Sequence, residues 1–526
     1  MQKKKTPTYS FKKGTKKNNT YFDTESIIGG KHGILTGEDE EYIIEAKEAP
    51  ECSIACPAGI NVKAYVNLIA NRRFEEAVEV IREKNPFPAV CGRVCTRPCE
   101  QSCEQSENGD CISIRALKRY ASDYELARRA LVMKSCEKKY DEKIAIIGAG
   151  PAGLSAAVDL VRMGYPVIVF EEKNDPGGML RYAIPPYRLP DRVIKREIDW
   201  ITGLGVEIKT GKRIDNPLTL LKKGYSAILI ACGAPKSFSL GIEGENAEGV
   251  IDALLFLNAV NTDSSKKICG KIIIIGGGST AFDAARSAVR LGAEKVTLAY
   301  RRGFEEMPAE REEIEDAKKE DIEIVTLAIP KKILVKKGKV VGMEFFKAKL
   351  GRQDDSGRRK PTPIKNSEFV INADIIIPAV GAKPDVESMK DAAITTSQGR
   401  INVEEYGQTA RKSVFAAGDV ETGPSSVVEA IGRGHKAAKG INAYLRGFDL
   451  SKEKCLEKTI PIVLEKQKGT CRIYLPKRLE KHDRIATFKE VEKAFTEFEA
   501  VEEASRCFTC GPCSTCVICL PNCEHK

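Results

Sequence analysis

Cysteines carry the most distinctive chemistry in this sequence, because twelve of the eighteen fall into two groups with short, repeated spacings. The first group is Cys52, Cys56, Cys91, Cys95, Cys99 and Cys103, and the second is Cys507, Cys510, Cys513, Cys516, Cys519 and Cys523. Positions i and i+4 place two thiolates on one side of a helix or turn. Thiolates at such spacings favour iron–sulfur clusters, with zinc as the alternative metal. Disulfides are disfavoured because the chain is long and begins without an export signal.

The second group predicts at least one four-iron cluster. Its last four members, Cys513 to Cys523, match the bacterial ferredoxin spacing C-x2-C-x2-C-x3-C. The proline that usually follows the fourth cysteine is replaced here by Glu524. A zinc ribbon is the alternative for these residues.

A glycine-rich loop follows the apolar strand at residues 144–147 and opens a helix predicted at residues 154–163. The loop residues are Gly148, Gly150, Pro151, Ala152 and Gly153. The first glycine permits a tight turn, the second lets the backbone approach a pyrophosphate, and the third lets helix and strand pack closely. The next strand ends at Glu171, which is placed to accept hydrogen bonds from ribose hydroxyls. The pattern predicts a dinucleotide site in which the helix N-terminus faces the phosphates.

A later strand ends in Gly418 and Asp419 and is typical of the second segment of FAD-binding proteins. Asp419 is expected to meet the ribityl chain, although a helix N-cap is the alternative role. The next helix begins near Ser426 and includes Val427 and Ala430. Its N-terminus would face the flavin pyrimidine ring, where a partial positive charge suits a reduced flavin. We therefore assign FAD to the first loop.

A second glycine loop follows the strand at residues 271–275. Its residues are Gly276, Gly278, Ser279, Thr280 and Ala281. The next strand ends in Arg301 and Arg302, where a site for NADH would carry an acidic residue. Two guanidinium groups match a 2′-phosphate, so the loop favours NADPH over NADH. The alternative is that both arginines merely end a solvated strand.

These motifs require parallel sheets with connecting helices, so the predicted class is α/β. We expect two Rossmann-like domains, an FAD domain interrupted by an NADPH domain, preceded by an α-helical iron–sulfur domain and followed by a ferredoxin-like cysteine tail. Apolar residues at helical spacing predict helices within residues 74–81 and 485–506. The expected segments are a basic tail and linker at 1–44, the iron–sulfur domain at 45–138, the FAD domain at 139–240 and 371–450, the NADPH domain at 241–370, and a C-terminal extension at 451–526.

Composition narrows the protein class. Hydrophobic residues make up 42% and charged residues 30% of the 526 residues, as in globular proteins. No apolar run approaches the roughly 20 residues of a membrane helix, and we expect a cytoplasmic protein. The net charge of +10 is spread along the chain, which argues against a nucleic-acid surface. Residues 1–20 contain seven lysines and no acidic residue, and form either a solvated tail or a basic arm for an acidic redox partner.

From about residue 50 to 447 the chain resembles the glutamate synthase small-subunit family. The same electron-transfer unit occurs in the N-terminal part of dihydropyrimidine dehydrogenase and in the large subunit of NADH-dependent ferredoxin:NADP oxidoreductase. The strings that carry the resemblance are CSIACP at 52–57, VCGRVC at 90–95, PGGMLRY at 176–182, IPPYRLP at 184–190 and YRR at 300–302. It implies that Gly178, Met179, Leu180, Arg188 and Leu189 contact a cofactor.

Disulfide reductases resemble this family in fold, but the sequence lacks their redox pair. No CxxxxC follows Gly178, and no CxxC lies within residues 271–370. Cys232 and Cys269 are isolated and are expected to be small core residues. A dithiol mechanism is therefore disfavoured.

The resemblance also divides the first cysteine group. It implies that Cys56, Cys95 and Cys99 hold a cluster next to the flavin, with a fourth ligand near Lys118. Cys52 and Cys103 would serve a second cluster, but the CxxC that relatives carry upstream is absent here. Cys91 and Cys111 are possible substitutes. A further hypothesis comes from residues 503–511, which resemble that missing upstream string: Cys507 and Cys510 fold back, or dock on a neighbouring subunit, to complete the site.

These observations predict an iron–sulfur flavoprotein. Hydride would pass between NAD(P)H and FAD, and single electrons would pass through two or more [4Fe-4S] clusters to or from ferredoxin or a partner redox subunit. No protein acid or base is required, so no catalytic side chain is expected. The alternatives are the small subunit of a glutamate synthase, which supplies electrons to a separate large subunit, and a non-catalytic subunit that relays electrons.

Overall fold

The computed structural model describes residues 34–37, 40–43, 49–107, 109–128, 135–354, 356–387, 399–450 and 474–510. Strands β1 (Ile34–Gly37) and β2 (Glu40–Ile43) form an antiparallel pair. The lysine-rich residues 1–20 and the cysteines from Cys513 to Cys523 lie outside the described residues.

The N-terminal domain is helical, as expected. Its helices are α1 (Glu51–Ile54), α2 (Val62–Ala70), α3 (Phe74–Lys84), α4 (Pro88–Val94), α5 (Pro98–Gln101) and α6 (Ile114–Ala127). The Asn61 side chain accepts from the Ala64 N–H and caps α2 at 3.1 Å. Pro88 and Pro98 occupy first-turn positions, where a missing N–H costs nothing. The helix predicted within residues 74–81 is confirmed by α3.

A five-stranded parallel sheet carries the first glycine loop. Its order is β16 (Val414–Ala416), β6 (Tyr225–Ile230), β3 (Lys143–Ile147), β4 (Val167–Phe170) and β5 (Glu207–Lys209). Helices α7 (Pro151–Met163), α8 (Met179–Tyr182), α9 (Asp191–Gly203) and α10 (Leu218–Lys222) follow its strands. The late strand β16 pairs with β6, so the chain returns to this sheet after an insertion. The predicted interruption of one Rossmann-like unit by another is confirmed.

The insertion has its own four-stranded parallel sheet. Helix α11 (Ala253–Thr262) precedes it, and the sheet contains β8 (Lys271–Ile275), β9 (Lys295–Ala299), β10 (Glu323–Val325) and β14 (Ile375–Pro378). Helices α12 (Ser279–Arg290) and α13 (Arg311–Lys319) connect these strands. The predicted boundary at residue 371 is wrong, because Ile375 pairs with Ile272 of β8. The chain leaves and returns through an antiparallel pair, β7 (Lys236–Ser237) and β15 (Ala382–Lys383).

An antiparallel sheet extends the insertion, and the chain then ends on the helical domain. The sheet contains β11 (Ala328–Lys336), β12 (Lys339–Gln353) and β13 (Arg359–Asn372). The last described helices are α14 (Asp419–Thr422), α15 (Val427–Arg446), α16 (Lys481–Ala486) and α17 (Glu497–Ser505). The single helix predicted over residues 485–506 is wrong. Thr496 starts α17 with a capping box to Glu499, which separates it from α16.

Apolar side chains from the helical domain and from the first sheet belong to one hydrophobic core. The insertion has a separate core around β8 and α12. Among the helices that the structure describes, none is long and apolar enough to cross a bilayer.

Candidate cofactor and cluster sites

One large cavity, of about 470 Å³, lies where the loops of both parallel sheets meet the helical domain. That volume is in the range of cofactor sites. The cavity is lined by fifteen of the residues expected to bind a cofactor: Gly148, Gly150, Pro151, Ala152, Glu171, Gly178, Met179, Leu180, Arg188, Ser279, Thr280, Asp419, Ser426, Val427 and Ala430. The remaining expected residues are outside the lining: Gly153, Leu189, Gly276, Gly278, Ala281, Arg301, Arg302 and Gly418.

The first glycine loop has the shape that a pyrophosphate site requires. Gly148 has φ of +107°, and a Cβ there would lie 2.4 Å from the Ala231 carbonyl oxygen. A Cβ on Gly153 would lie 2.2 Å from the Gly148 carbonyl oxygen, which explains the close packing of strand and helix. A Cβ on Gly150 would meet nothing within 4 Å. The open space at Gly150 therefore faces the cavity, where the N-terminus of α7 would meet phosphate oxygens.

Glu171 is fixed at the end of β4. Its Oε2 accepts from the Ala149 N–H at 2.8 Å, and its Oε1 accepts from the Lys173 N–H at 2.9 Å. Burial raises the pKa of this carboxyl above its ordinary value, although both backbone donors oppose the rise. The side chain is therefore held by the glycine loop itself, at the wall of the cavity.

Asp419 lies beside the N-terminus of α15. Its Oδ1 accepts from the N–H and the Oγ of Ser425, at 3.1 and 2.9 Å. Burial raises the pKa of Asp419 to about 6. Asp419 is not a helix N-cap, because Gly418 is the N-cap residue of α14. Ser426 caps α15 through a capping box, and the first turn of this 20-residue helix lines the cavity.

The residues that follow the glycines of the second loop line the same cavity. A Cβ on Gly276 would lie 2.3 Å from the Ala379 carbonyl oxygen, and φ is +150°. A Cβ on Gly278 would meet only a Pro308 side-chain atom, at 3.7 Å. Ser279 and Thr280, the first residues of α12, line the cavity. Two helix N-termini, those of α7 and α12, are thus available to two sets of phosphates.

The two arginines at the end of β9 have different surroundings. Arg301 is exposed. Arg302 is buried, donates from Nε to the Arg359 carbonyl oxygen at 2.9 Å, and pairs with Asp354. Both contacts tie it to the antiparallel sheet. These contacts leave the expected 2′-phosphate contact unsupported for Arg302, and for Arg301 it stays a prediction.

The segment at residues 184–190 clamps the two nucleotide domains together. Arg188 pairs with Asp283 of α12 at 2.8 Å and with Glu313 of α13 at 2.6 Å. The Tyr187 ring lies under Arg290, with 3.9 Å between the guanidinium carbon and the ring centroid. Leu189 packs in the core that the helical domain shares with the first sheet, so the expected contact between Leu189 and a cofactor is not supported. Arg188 still lines the cavity, but Arg188 and Tyr187 both have structural partners in the insertion.

Sequence reasoning missed part of the cavity wall. Glu490, Val491 and Glu492 line it, although they come from the C-terminal extension. The Val491 N–H donates to the Tyr187 carbonyl oxygen at 2.9 Å, and Arg115 pairs with Glu492 at 2.8 Å. No motif marks these residues in the sequence, and two charged side chains would ordinarily be expected to face solvent.

Four cysteines of the first group surround Lys118. Burial alone would lower the pKa of its ammonium, but interaction with the sulfurs of Cys95, Cys56, Cys91 and Cys99 raises the pKa overall. Cys91 was a candidate for the second cluster, and the structure instead places it with the other three. Cys95 also lines the large cavity, so this set borders the nucleotide site. If these four residues hold a four-iron cluster, their thiolates would suffice without the nitrogen of Lys118 as a ligand.

Cys52 and Cys103 lie elsewhere, in a smaller cavity that Cys507 and Cys510 also line. Cys111 does not line it. The fold-back hypothesis is therefore the arrangement found within this chain.

No disulfide joins any two of the described cysteines. Within the described ranges no three Cys, His, Asp or Glu side chains converge on one metal ion. A four-iron cluster needs no such convergence, because each iron takes one thiolate. Cys232 lines the large cavity, and Cys269 is exposed. The expectation of a core position is wrong for Cys269, which lies in the polar turn before β8.

Comparison with known families agrees with this arrangement. Residues 142–434 match the family described as pyridine nucleotide-disulphide oxidoreductase. Residues 43–130 match the family described as dihydropyrimidine dehydrogenase domain II, 4Fe-4S cluster. The first match spans both parallel sheets, and the second spans the helical domain.

Individual relatives are similar over most of the chain. The NADPH-Fe(3+) oxidoreductase subunit beta of Geobacter sulfurreducens is 35% identical, over 92% of this chain and 78% of the relative. The NADP(+)-dependent formate dehydrogenase subunit beta of Moorella thermoacetica is 36% identical, over 87% and 70%. The glutamate synthase [NADPH] small chain of Escherichia coli is 35% identical, over 75% and 89%. The chain therefore belongs to the pyridine nucleotide-disulphide oxidoreductase family and is an iron–sulfur flavoprotein NAD(P)H oxidoreductase of the glutamate synthase small-chain type.

Proposed function

We propose that this chain is the electron-input subunit of a multi-subunit oxidoreductase. It exchanges a hydride with NADPH at bound FAD, and single electrons travel through its cysteine-rich helical domain to ferredoxin or to another redox subunit. It works in the cytoplasm as part of a larger complex.

The large cavity is the main observation behind this proposal. The first glycine loop and the first residues of α12 line it, and Cys95 of the Lys118 set forms part of the same wall. A nicotinamide, a flavin and a cluster placed by these three elements would be neighbours. Bound FAD supplies the chemistry that takes a hydride and releases its electrons one at a time.

The residues of the chain would bind the two cofactors and orient them. Gly150 leaves space for the pyrophosphate, Glu171 accepts from the adenosine ribose, and the N-terminus of α15 favours negative charge at the flavin ring. Ser279 and Thr280 present the N-terminus of α12 to the NADPH phosphates. The Arg188 clamp fixes the angle between the two nucleotide domains, which sets the approach of the two rings.

The choice of partner rests on how much of the chain each relative matches. Similarity to the Geobacter and Moorella subunits covers 92% and 87% of the chain, against 75% for the glutamate synthase small chain. A redox subunit or ferredoxin is therefore the preferred partner, and a glutamate synthase large subunit is the second candidate.

Anaerobic addition of NADPH to the purified, FAD-loaded chain tests the proposal. The flavin absorbance near 450 nm should bleach with NADPH and much less with NADH. An intact flavin that does not bleach would identify a relay subunit instead. Glutamine-dependent NADPH oxidation after adding a glutamate synthase large subunit, with no activity toward ferredoxin, would favour the second candidate.

A further inference from the structure

Four thiols from distant parts of the sequence line one small cavity beside α1 and α2. They belong to Cys52, Cys103, Cys507 and Cys510. The apolar side chains around them are Val62, Val66, Ile112, Ile114 and Phe508. A set of four thiols with an apolar surround is the donor set of a four-iron cluster.

Buried polar contacts fix the C-terminal pair in this position. Glu503 of α17 is fully buried, and its Oε1 accepts from the Ser113 N–H at 2.9 Å and from Arg506 Nη1 at 2.7 Å. Removing such a carboxylate from water is unfavourable unless every charge is paired. The pairing here spans the helical domain and the C-terminal extension, so the two are docked specifically.

The contacts continue to the cysteines themselves. Arg506 Nη2 donates to the Asp110 carbonyl oxygen at 2.8 Å. Gln105, two residues after Cys103, donates from Nε2 to the Arg506 carbonyl oxygen at 3.3 Å. The residue immediately before Cys507 is thereby hydrogen-bonded on both sides to the loop that follows Cys103.

We propose that Cys52, Cys103, Cys507 and Cys510 together hold one [4Fe-4S] cluster, completed within a single chain by the docked C-terminal segment. The inference rests on the iron–sulfur part of the proposed function and is independent of which nucleotide is used. It leaves Cys513, Cys516, Cys519 and Cys523 as an intact ferredoxin-type set. The twelve motif cysteines then form three sets of four.

The buried side chain of Tyr65 lies near thiols of the first two sets. The side chain is fully buried, and its hydroxyl has no hydrogen-bond partner among the described residues. It interacts electrostatically with Cys99, Cys56 and Cys95 of one set and with Cys52 of the other. Thiols of both sets therefore lie near this one buried side chain.

Iron counting on full-length protein made without oxygen tests the grouping. The wild type should contain about 12 iron atoms per chain. Cys52→Ala and Cys507→Ala should each lose about four, and the double variant should also lose about four, because both remove the same cluster. Cys111→Ala and Cys269→Ala serve as matched controls and should keep all of the iron.

A loss of about eight iron atoms in the double variant would overturn the grouping, as would unchanged iron in Cys507→Ala. FAD content and NADPH bleaching of the same samples report whether each variant is folded and whether the proposed function itself holds. If Cys52→Ala fails to fold, Glu503→Gln gives a second route. It removes no thiol, and it should reduce occupancy of this cluster alone.

Discussion

The Arg188 guanidinium donates to both carboxylate oxygens of Asp283, at 2.9 and 2.8 Å, and so joins the FAD-binding sheet to the first turns of the NADPH-binding helix α12. Arg188 also pairs with Glu313, and Asp283 is buried. A motif shared with the family thus lies at the junction of the two nucleotide domains. The relative position of the two nucleotide domains therefore depends on this ion pair.

Arg188→Ala should destabilise the junction by about 3 kcal/mol, because it leaves the buried Asp283 carboxylate without its main partner. Chemical denaturation measures the loss. Reduction of FAD by NADPH should slow at least about tenfold while FAD content is kept. Arg192→Ala is the matched control, since this arginine is largely exposed, and it should change stability by less than about 0.5 kcal/mol. Equal effects of the two substitutions would contradict the clamp.

Arg301→Ala should raise the KM for NADPH by roughly 10- to 100-fold and leave the KM for NADH nearly unchanged, because a charge-assisted contact with the 2′-phosphate is lost. Arg302→Ala should instead lower the melting temperature, since its guanidinium bonds the antiparallel sheet. Steady-state kinetics with both nucleotides distinguish them. The assignment fails if Arg302→Ala has the nucleotide-specific effect and Arg301→Ala has none.

Tyr65→Phe should keep all clusters but lower the reduction potential of at least one. A hydroxyl that donates to a cluster sulfur stabilises the reduced, more negative form. A net hydrogen-bond contribution of about 1 kcal/mol corresponds to a shift on the order of 40 mV for one electron. Redox titration followed by electron paramagnetic resonance measures this. Unchanged potentials would show that the hydroxyl does not face a cluster.

Asp419 should make the FAD-free protein less stable as pH rises from about 4 to 7. Burial raises the pKa of this carboxyl from 3.8 to about 6, so the folded state holds the proton more tightly than the unfolded chain. The stabilisation from protonation is full below pH 3.8 and is lost as pH passes 6. Asp419→Asn cannot ionise and should gain up to about 3 kcal/mol relative to wild type between these limits.

Denaturant unfolding of the two FAD-free proteins at several pH values checks the effect of Asp419. A difference between variant and wild type that stays constant from pH 4 to 7 would show that the carboxyl titrates normally.

The elements and loops that follow local rules could be predicted from sequence. The strand and helix around Gly148, the interruption of the first sheet and the helix after Arg73 all depend on short-range periodicity and turn geometry. The helix over residues 485–506 was mispredicted because periodicity does not show where a Thr496 capping box begins a new helix. The boundary at 371 was misplaced because strand pairing is a long-range property.

The sequence predicts which cysteines are candidate cluster ligands, but it does not predict which of them lie together. Spacing identified the cysteines, yet only the fold places Cys91 beside Lys118 and Cys507 beside Cys52. Arg302 illustrates the same limit. A guanidinium at the end of a strand can bind a phosphate or a protein carboxylate, and here Asp354, 52 positions away in sequence, forms an ion pair with it. Pairings between residues hundreds of positions apart leave no local pattern.

Freeze-quench electron paramagnetic resonance after mixing the anaerobic protein with NADPH tests the central claim most directly. The account predicts that flavin bleaching is followed by signals from reduced [4Fe-4S] clusters, and that dithionite-reduced protein converts NADP(+) to NADPH. The claim would be contradicted by a protein whose flavin bleaches while clusters that dithionite can reduce stay oxidised, and whose reduced form yields no NADPH.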